Sequence, residues 1–159
     1  MFSLIVAIDK NNCMGKNGKM PWKIKGEQLR FKNLTMGKSV VMGRTSYEEL
    51  SGPLPNRMNL VVSTTKTFKG KNLDTITNLD EFIEKNKSSQ EEIFIAGGAK
   101  VFEKFINLAN KIYLTVVDYE VEDGDTFFPN IDYNNYVVTY KEKVLSNINF
   151  TYYTLEKKK

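Results

Sequence analysis

The chain alternates short apolar runs with amphipathic or polar stretches. Phe2–Ile8 (FSLIVAI) is continuously apolar apart from Ser3 and stops at Asp9. Its length and branched side chains predict a central strand buried on both faces. Residues 39–42 (SVVM), 59–62, 93–96 and Lys111–Val117 repeat that signature, and 74–76 predict a shorter strand. Between them the period changes. Residues 26–35 suit a helix with Glu27, Phe31 and Leu34 on one face, and 78–86 suit another, capped by Asn78 and burying Leu79, Phe82 and Ile83. Further helices are predicted from Arg44 to Leu50 and from Ala99 to about Leu108. Tyr136–Val144 and residues 149–155 read as an antiparallel pair joined across Ser146-Asn147. The sum is an α/β fold with a largely parallel sheet and an antiparallel C-terminal edge. No repeat or linker interrupts it, so residues 1–159 are expected to form one domain.

The polar segments are where ligands would bind. Residues 9–19 form an unusually long loop containing Gly15 and the turn pair Asn17-Gly18, and such loops inside compact domains are often lids. Pro21-Trp22 follows, with the single tryptophan of the chain. Gly43-Arg44-Thr45-Ser46 and Gly97-Gly98-Ala99 each follow a buried strand and precede a helix. Both are either ordinary tight turns or places where backbone N–H groups meet a phosphate, which Arg44 would reinforce. Two such turns in one small α/β domain fit a ligand with separated phosphates, such as a dinucleotide. Ser63-Thr64-Thr65-Lys66 is a capping turn or a third phosphate contact. Glu27 is a solvated boundary residue or a pocket acid, and Arg57 a surface arginine or a carboxylate clamp.

Composition narrows the chemistry. The chain has no histidine, which removes Ser-His-Asp, Cys-His and histidine acid–base catalysis and the usual zinc sites. No metal is expected. One cysteine, Cys13, permits no internal disulfide and suits a reducing compartment. The net charge of +4 comes from lysines scattered among acids, partly from the terminal Lys157-Lys158-Lys159. That pattern suits an anionic small ligand rather than nucleic acid. The apolar start is too short to span a membrane and lacks a signal-peptide pattern. A cytoplasmic monomer is expected.

The motifs together resemble the dihydrofolate reductases of bacterial chromosomal type, from one end of the chain to the other. The resemblance rests on Met20-Pro21-Trp22, Glu27 with Phe31-Lys32, Val41-Met42-Gly43-Arg44-Thr45, Gly52-Pro53-Leu54-Pro55-Asn56-Arg57, Ile95-Ala96-Gly97-Gly98-Ala99, Tyr113-Leu114-Thr115, and Gly124-Asp125-Thr126 before Phe128-Pro129. It implies an eight-stranded mixed sheet and reduction of 7,8-dihydrofolate by NADPH, with hydride transfer to pterin C6 and protonation at N5. Glu27, Trp22 and Thr115 would form the catalytic group. Glu27 would bind the pterin, Thr115 would hydrogen-bond its carboxylate, and Trp22 would hold a water. Phe31, Leu50 and Leu54 would pack the substrate rings, Arg57 would bind the glutamate α-carboxylate, and Ile5, Val6, Ala7 and Ala96 would line the pterin and nicotinamide region. NADPH would contact Ala7, Gly15, Met20, Gly43, Arg44, Thr45, Ser46, Ser63, Thr64 and Thr65, with Gly97, Gly98, Ala99, Lys100, Val101 and Phe102 along its pyrophosphate and nicotinamide ribose. A cis Gly97–Gly98 bond is implied, as is a hydrogen bond from Asp125 to the 9–19 loop that biases its closure.

The chain departs from the usual pattern at four places. Glu27 stands for the aspartate common in bacterial members, Ala96 for a branched residue, Phe102 for a tyrosine, and Gln28 makes the pocket edge more polar. These bear on affinity more than on the reaction. Two other readings are a pyrimidine reductase of riboflavin synthesis, which would want a phosphoribosyl site in place of Glu27 with Arg57, and a catalytically silent nucleotide-binding protein, against which intact Trp22, Glu27 and Thr115 argue.

Overall fold

A computed structural model describes residues 1–17 and 19–159. The elements run β1 (Phe2–Ile8), β2 (Cys13–Gly15), α1 (Leu29–Thr35), β3 (Ser39–Gly43), α2 (Arg44–Glu48), β4 (Met58–Val62), β5 (Leu73–Ile76), α3 (Leu79–Asn86), β6 (Ile93–Ile95), α4 (Ala99–Phe105), β7 (Lys111–Val117), β8 (Thr126–Phe127), β9 (Tyr136–Val144) and β10 (Phe150–Lys157). Eight strands form one sheet in the order β5-β4-β3-β6-β1-β7-β10-β9, while β2 and β8 pair separately. The pairings from β5 through β7 are parallel; β10 runs antiparallel to both β7 and β9. The mixed sheet with an antiparallel C-terminal edge is therefore as expected.

β1 explains why its run is apolar throughout. It lies between β6 and β7, and its alternate residues enter different cores. Leu4 joins a cluster with Val41, Ile95, Phe102 and Phe105, whereas Ile5 joins Val40, Met42, Phe94 and Tyr113 on the other side. Phe105 of α4 is fully buried and meets Phe2 edge-on, with ring centroids 5.0 Å apart. Burying one such ring contributes about 1.5–3 kcal/mol. Asn78 caps α3 as expected, its side chain accepting from Glu81 N–H at 3.0 Å.

Most bounds shift by one or two residues, and three departures from expectation have a clear cause. α1 begins at Leu29, not at 26, because Gly26 adopts φ +86° and the chain makes turn bonds from Glu27 N–H to Ile24 O and from Leu29 N–H to Gly26 O. Glu27 thus precedes the helix. α4 ends at Phe105 and closes through turn bonds from Leu108 and Ala109 N–H to Phe105 O. The 9–19 segment is not wholly irregular, since β2 within it pairs with β8. Gly18 of the Asn17-Gly18 pair lies outside the described residues.

Candidate active site

Parallel strands place their carboxyl ends together, and a cleft opens there. Its volume is about 1090 Å³. Ile5, Val6 and Ala7 reach it from β1, Gly43 and Arg44 from the end of β3, Ala96, Gly97 and Gly98 from the end of β6, and Thr115 from β7. Phe31 comes from α1, while Leu50, Leu54 and Arg57 come from the segment joining α2 to β4. All ten residues expected to bind substrate therefore line one cavity. A neighbouring recess of about 550 Å³ is lined by Trp22, Lys23, Lys25 and Asn147, and Met20, Ile24, Glu27 and Gln28 border both.

Glu27 is buried, with 8% of its surface exposed. Its carboxyl is pushed above the ordinary glutamate range, and the cause is desolvation. The hydrogen bond expected from Thr115 to this carboxylate is not formed among the described residues. Thr115 lies in the middle of β7, in register with Ala7 and Tyr152, and reaches the cavity without touching the acid by a hydrogen bond. Trp22 is buried too, and its Nε1–H has no protein acceptor. A buried donor left unpaired costs about 1–3 kcal/mol, so this edge of the pocket is built to meet a ligand or water.

Arg57 is not a surface arginine: it is buried, with 6% exposure. Its Nε donates to Pro55 O at 2.9 Å and Nη1 to the Thr35 hydroxyl at 3.3 Å. Those bonds aim a guanidinium whose pKa is lowered by desolvation into the cavity. Asn59 holds the loop before it, accepting from Leu54 N–H at 2.8 Å and donating to the carbonyls of Leu54 and Arg57.

The glycine turns pack against each other. Gly43 N–H donates to Gly97 O at 2.8 Å, and a Cβ on Gly43 would stand 3.3 Å from Val101 Cγ2 and 3.6 Å from Gly98 N. Gly97 has φ +116°, and the Gly97–Gly98 bond is cis, as the resemblance implies. Thr45, Ser46, Ala99, Lys100, Val101 and Phe102 line the same end of the cleft. Farther out, Arg44 Nε pairs with Glu48 at 2.8 Å and Nη1 donates to the Thr65 hydroxyl at 3.0 Å, while Lys66 pairs with the other oxygen of Glu48 at 3.1 Å. Ser63, Thr64 and Thr65 do not line the cleft. The Ser63 hydroxyl instead accepts from Lys66 N–H at 3.0 Å, so the capping alternative describes it.

Gly15 and Met20 bring the 9–19 loop and its exit to the cleft. Asp125 accepts from Asn17 N–H at 2.8 Å, which is the expected tie to that loop. This bond, followed by one from the Thr126 hydroxyl, holds the Asp125 carboxyl below its ordinary range. Asp9 was not anticipated. It is 1% exposed, and its carboxylate accepts from Asn11 N–H, Cys13 N–H and Val121 N–H at 2.7, 2.8 and 2.9 Å. Nothing in its sequence position distinguished it from a solvated loop aspartate.

Residues 1–157 match the family model described as dihydrofolate reductase. The chain belongs to the dihydrofolate reductase family. It is 33% identical to the dihydrofolate reductase of Bacillus subtilis (strain 168) over 90% of this chain and 84% of that protein. It is 35% identical to that of Haemophilus influenzae over 89% and 86%, and 31% identical to the type 15 dihydrofolate reductase of Escherichia coli over 98% of each. Among solved structures it is similar to the dihydrofolate reductase from Enterococcus faecalis complexed with NADP(H) and RAB-propyl, with a TM-score of 0.88, 26% identity, and coverage of 100% and 97%. That likeness covers the whole of this chain, and with it the eight-stranded sheet.

Proposed function

We propose that this chain reduces 7,8-dihydrofolate to 5,6,7,8-tetrahydrofolate with NADPH, and that Glu27 is the acid that holds the pterin. The observation that carries the assignment of Glu27 is a single buried carboxylate facing the cleft, raised in pKa by desolvation and unpaired by any described protein donor. A buried carboxylate needs donors. A pterin offers a ring N–H beside an exocyclic amine, which match its two oxygens. Bound this way, Glu27 orients the ring, and its negative charge favours the positive charge that develops at N5. Trp22 Nε1–H then holds a water near that carboxylate, from which N5 is protonated. Thr115 lines the wall beside Glu27 rather than bonding to it.

Phe31, Leu50 and Leu54 exclude water from the two rings of the substrate. Arg57, braced by Pro55 and Thr35, takes the glutamate α-carboxylate through its remaining N–H groups. Glu27 and Arg57 on one cleft favour a folate over a ribosylated pyrimidine.

The residues present fit NADPH. Side-chain-free Gly43, Gly97 and Gly98 leave a cradle that a Cβ would crowd, and Arg44 and Lys66 stand together on Glu48 near Thr65. Thr45, Ser46 and the Gly97–Ala99 backbone would hold the pyrophosphate, with Lys100, Val101 and Phe102 toward the ribose. Arg44, with Thr64 and Thr65, would hold the 2′-phosphate. When bound, NADPH supplies the hydride. Ala7, Gly15 and Met20 confine the nicotinamide region, and the tie from Asp125 to Asn17 favours a loop closed over it. The protein's contribution is positioning and electrostatics.

No helix among the described residues is long and apolar enough to cross a membrane. On this reading the chain works as a single-domain monomer in the cytoplasm, with small-molecule ligands and no nucleic-acid partner. The test is a purified-protein assay. Reduced-nicotinamide absorbance should fall only when NADPH and dihydrofolate are both supplied. No loss at any pH from mildly acidic to mildly alkaline refutes the assignment.

A further inference from the structure

Glu27 lies ahead of α1 in a turn, and its carboxylate accepts no hydrogen bond from a described residue, so something else must fix its backbone. Two side chains converge there. Tyr152 of β10 is buried, and its hydroxyl lies 3.2 Å from Gly26 O and 3.1 Å from Glu27 O, donating across that pair. Arg30, in the first turn of α1, lies over the Tyr152 ring with its guanidinium carbon 5.0 Å from the centroid. The same guanidinium lies 5.3 Å from the Tyr113 ring and 5.4 Å from the Tyr140 ring. It donates to Tyr153 O at 2.9 Å and to the Thr154 hydroxyl at 2.5 Å. Tyr113 is anchored in turn by Glu92, which accepts its hydroxyl at 2.8 Å and that of Ser3 at 2.6 Å.

We infer that Arg30 and Tyr152 act as one clamp that positions the Glu27 carboxylate by fixing its backbone to β10, and that they are positioning residues for dihydrofolate reduction. The clamp rests on the role proposed above for Glu27. Its logic is that the acid keeps both carboxylate oxygens for the pterin, because the restraint is made through its carbonyl. A cation held among three aromatic faces and two acceptors has little freedom to leave. The turn from Gly26 to Gln28 therefore has one seat on the sheet.

Tyr152→Phe removes the hydroxyl and keeps the ring. Arg30→Met keeps an apolar stem and removes the fork. Each should lower kcat/KM for dihydrofolate roughly 5- to 10-fold, the scale of one lost hydrogen bond, while the Kd for NADPH changes less than about 2-fold. Loss of fold would move both constants, and far-UV circular dichroism checks it. The acid limb of the pH–rate profile is the second readout. The groups facing the clamp are Glu27, Tyr113, Tyr140 and Glu142, and of these Glu27 alone borders the substrate cleft as a carboxylate. A loosened Glu27 gains water, so the limb should move to lower pH in Tyr152→Phe, the variant that keeps the Arg30 charge.

The double variant should lose no more than the worse single variant, because the two side chains serve one restraint. Folded variants with the parent's kcat/KM and acid limb, or losses that multiply in the double variant, overturn the clamp. Absence of dihydrofolate-dependent activity in the parent would instead refute the function itself.

Discussion

Replacing Asp9 by alanine should cost about 3–5 kcal/mol of stability. Three backbone N–H groups end on this carboxylate, at 2.7, 2.8 and 2.9 Å, and it is 1% exposed. Hydrogen bonds to a charged acceptor contribute roughly 1.5–3 kcal/mol each, and bonds that share one acceptor are not additive. Relief from keeping a charge buried offsets part of the loss. For a chain of 159 residues the net should lower Tm by roughly 10 °C. Asp9→Asn separates the contributions. Its carbonyl oxygen can still accept from Asn11 and Cys13, but its amide would face Val121 N–H donor to donor, so about half the loss is expected. Urea unfolding followed by fluorescence and circular dichroism measures both. An Asp9→Ala variant within about 1 kcal/mol of the parent would refute this reasoning, because it would mean the three amides find water without penalty.

Glu27→Gln should cut dihydrofolate turnover at neutral pH far more than it weakens NADPH; an unchanged rate would return Glu27 to a boundary residue. It should also stabilise the fold at neutral pH. The carboxyl is raised by burial, so the parent binds more protons than its unfolded chain above the ordinary glutamate value of about 4.3 and loses stability as pH rises through the folded value. The stability gain of Glu27→Gln should therefore shrink on acidification, and a pH-independent difference in Tm would contradict it. Arg44→Ala should weaken NADPH more than NADH, on the order of 10-fold, and equal loss in fluorescence titrations of both would remove the 2′-phosphate role. Gly124→Ala should cost about 1–3 kcal/mol by overpacking, since its Cβ would collide with Cys13 Sγ. Adding Cys13→Ala should recover most of that loss in thermal melts, and no recovery would place the strain elsewhere.

Features written in local pattern were legible in the sequence. β1, β3, β4, β6 and β7 follow from branched apolar runs, and the Asn78 cap from one residue type at one place. The cleft was legible because several strand ends carried glycine, a cation or a small residue at once. What escaped was set by partners far along the chain. Asp9 looks like any loop aspartate until Val121 arrives beside it, and β2 and β8 are too short to show a period. Arg30 looks like a solvated first-turn cation, yet its acceptors lie on β10. Spacing alone starts α1 too early because it cannot tell a helix from the turn before it, and Gly26 at positive φ decides the matter. Ser63 could have served either alternative, and the backbone N–H groups of its own turn claimed it.

The turn between β9 and β10 bears on how the chain reaches its working form during synthesis. Asn147 accepts from Lys25 N–H and donates to Lys23 O, and Ser146 donates to Lys25 O, at 2.9, 2.9 and 2.7 Å. With Tyr152, these bonds hold residues 23–27 from positions more than 120 residues later. Closing so long a loop is entropically slow to begin. On the ribosome, the first five parallel strands of the sheet and most of the cleft can assemble while the segment bearing Glu27 still lacks its seat. Residues from Ser146 onward complete the seat of Glu27, so a nascent chain stalled before Ser146 would present the glycine turns of the cleft with the Glu27 segment still unseated.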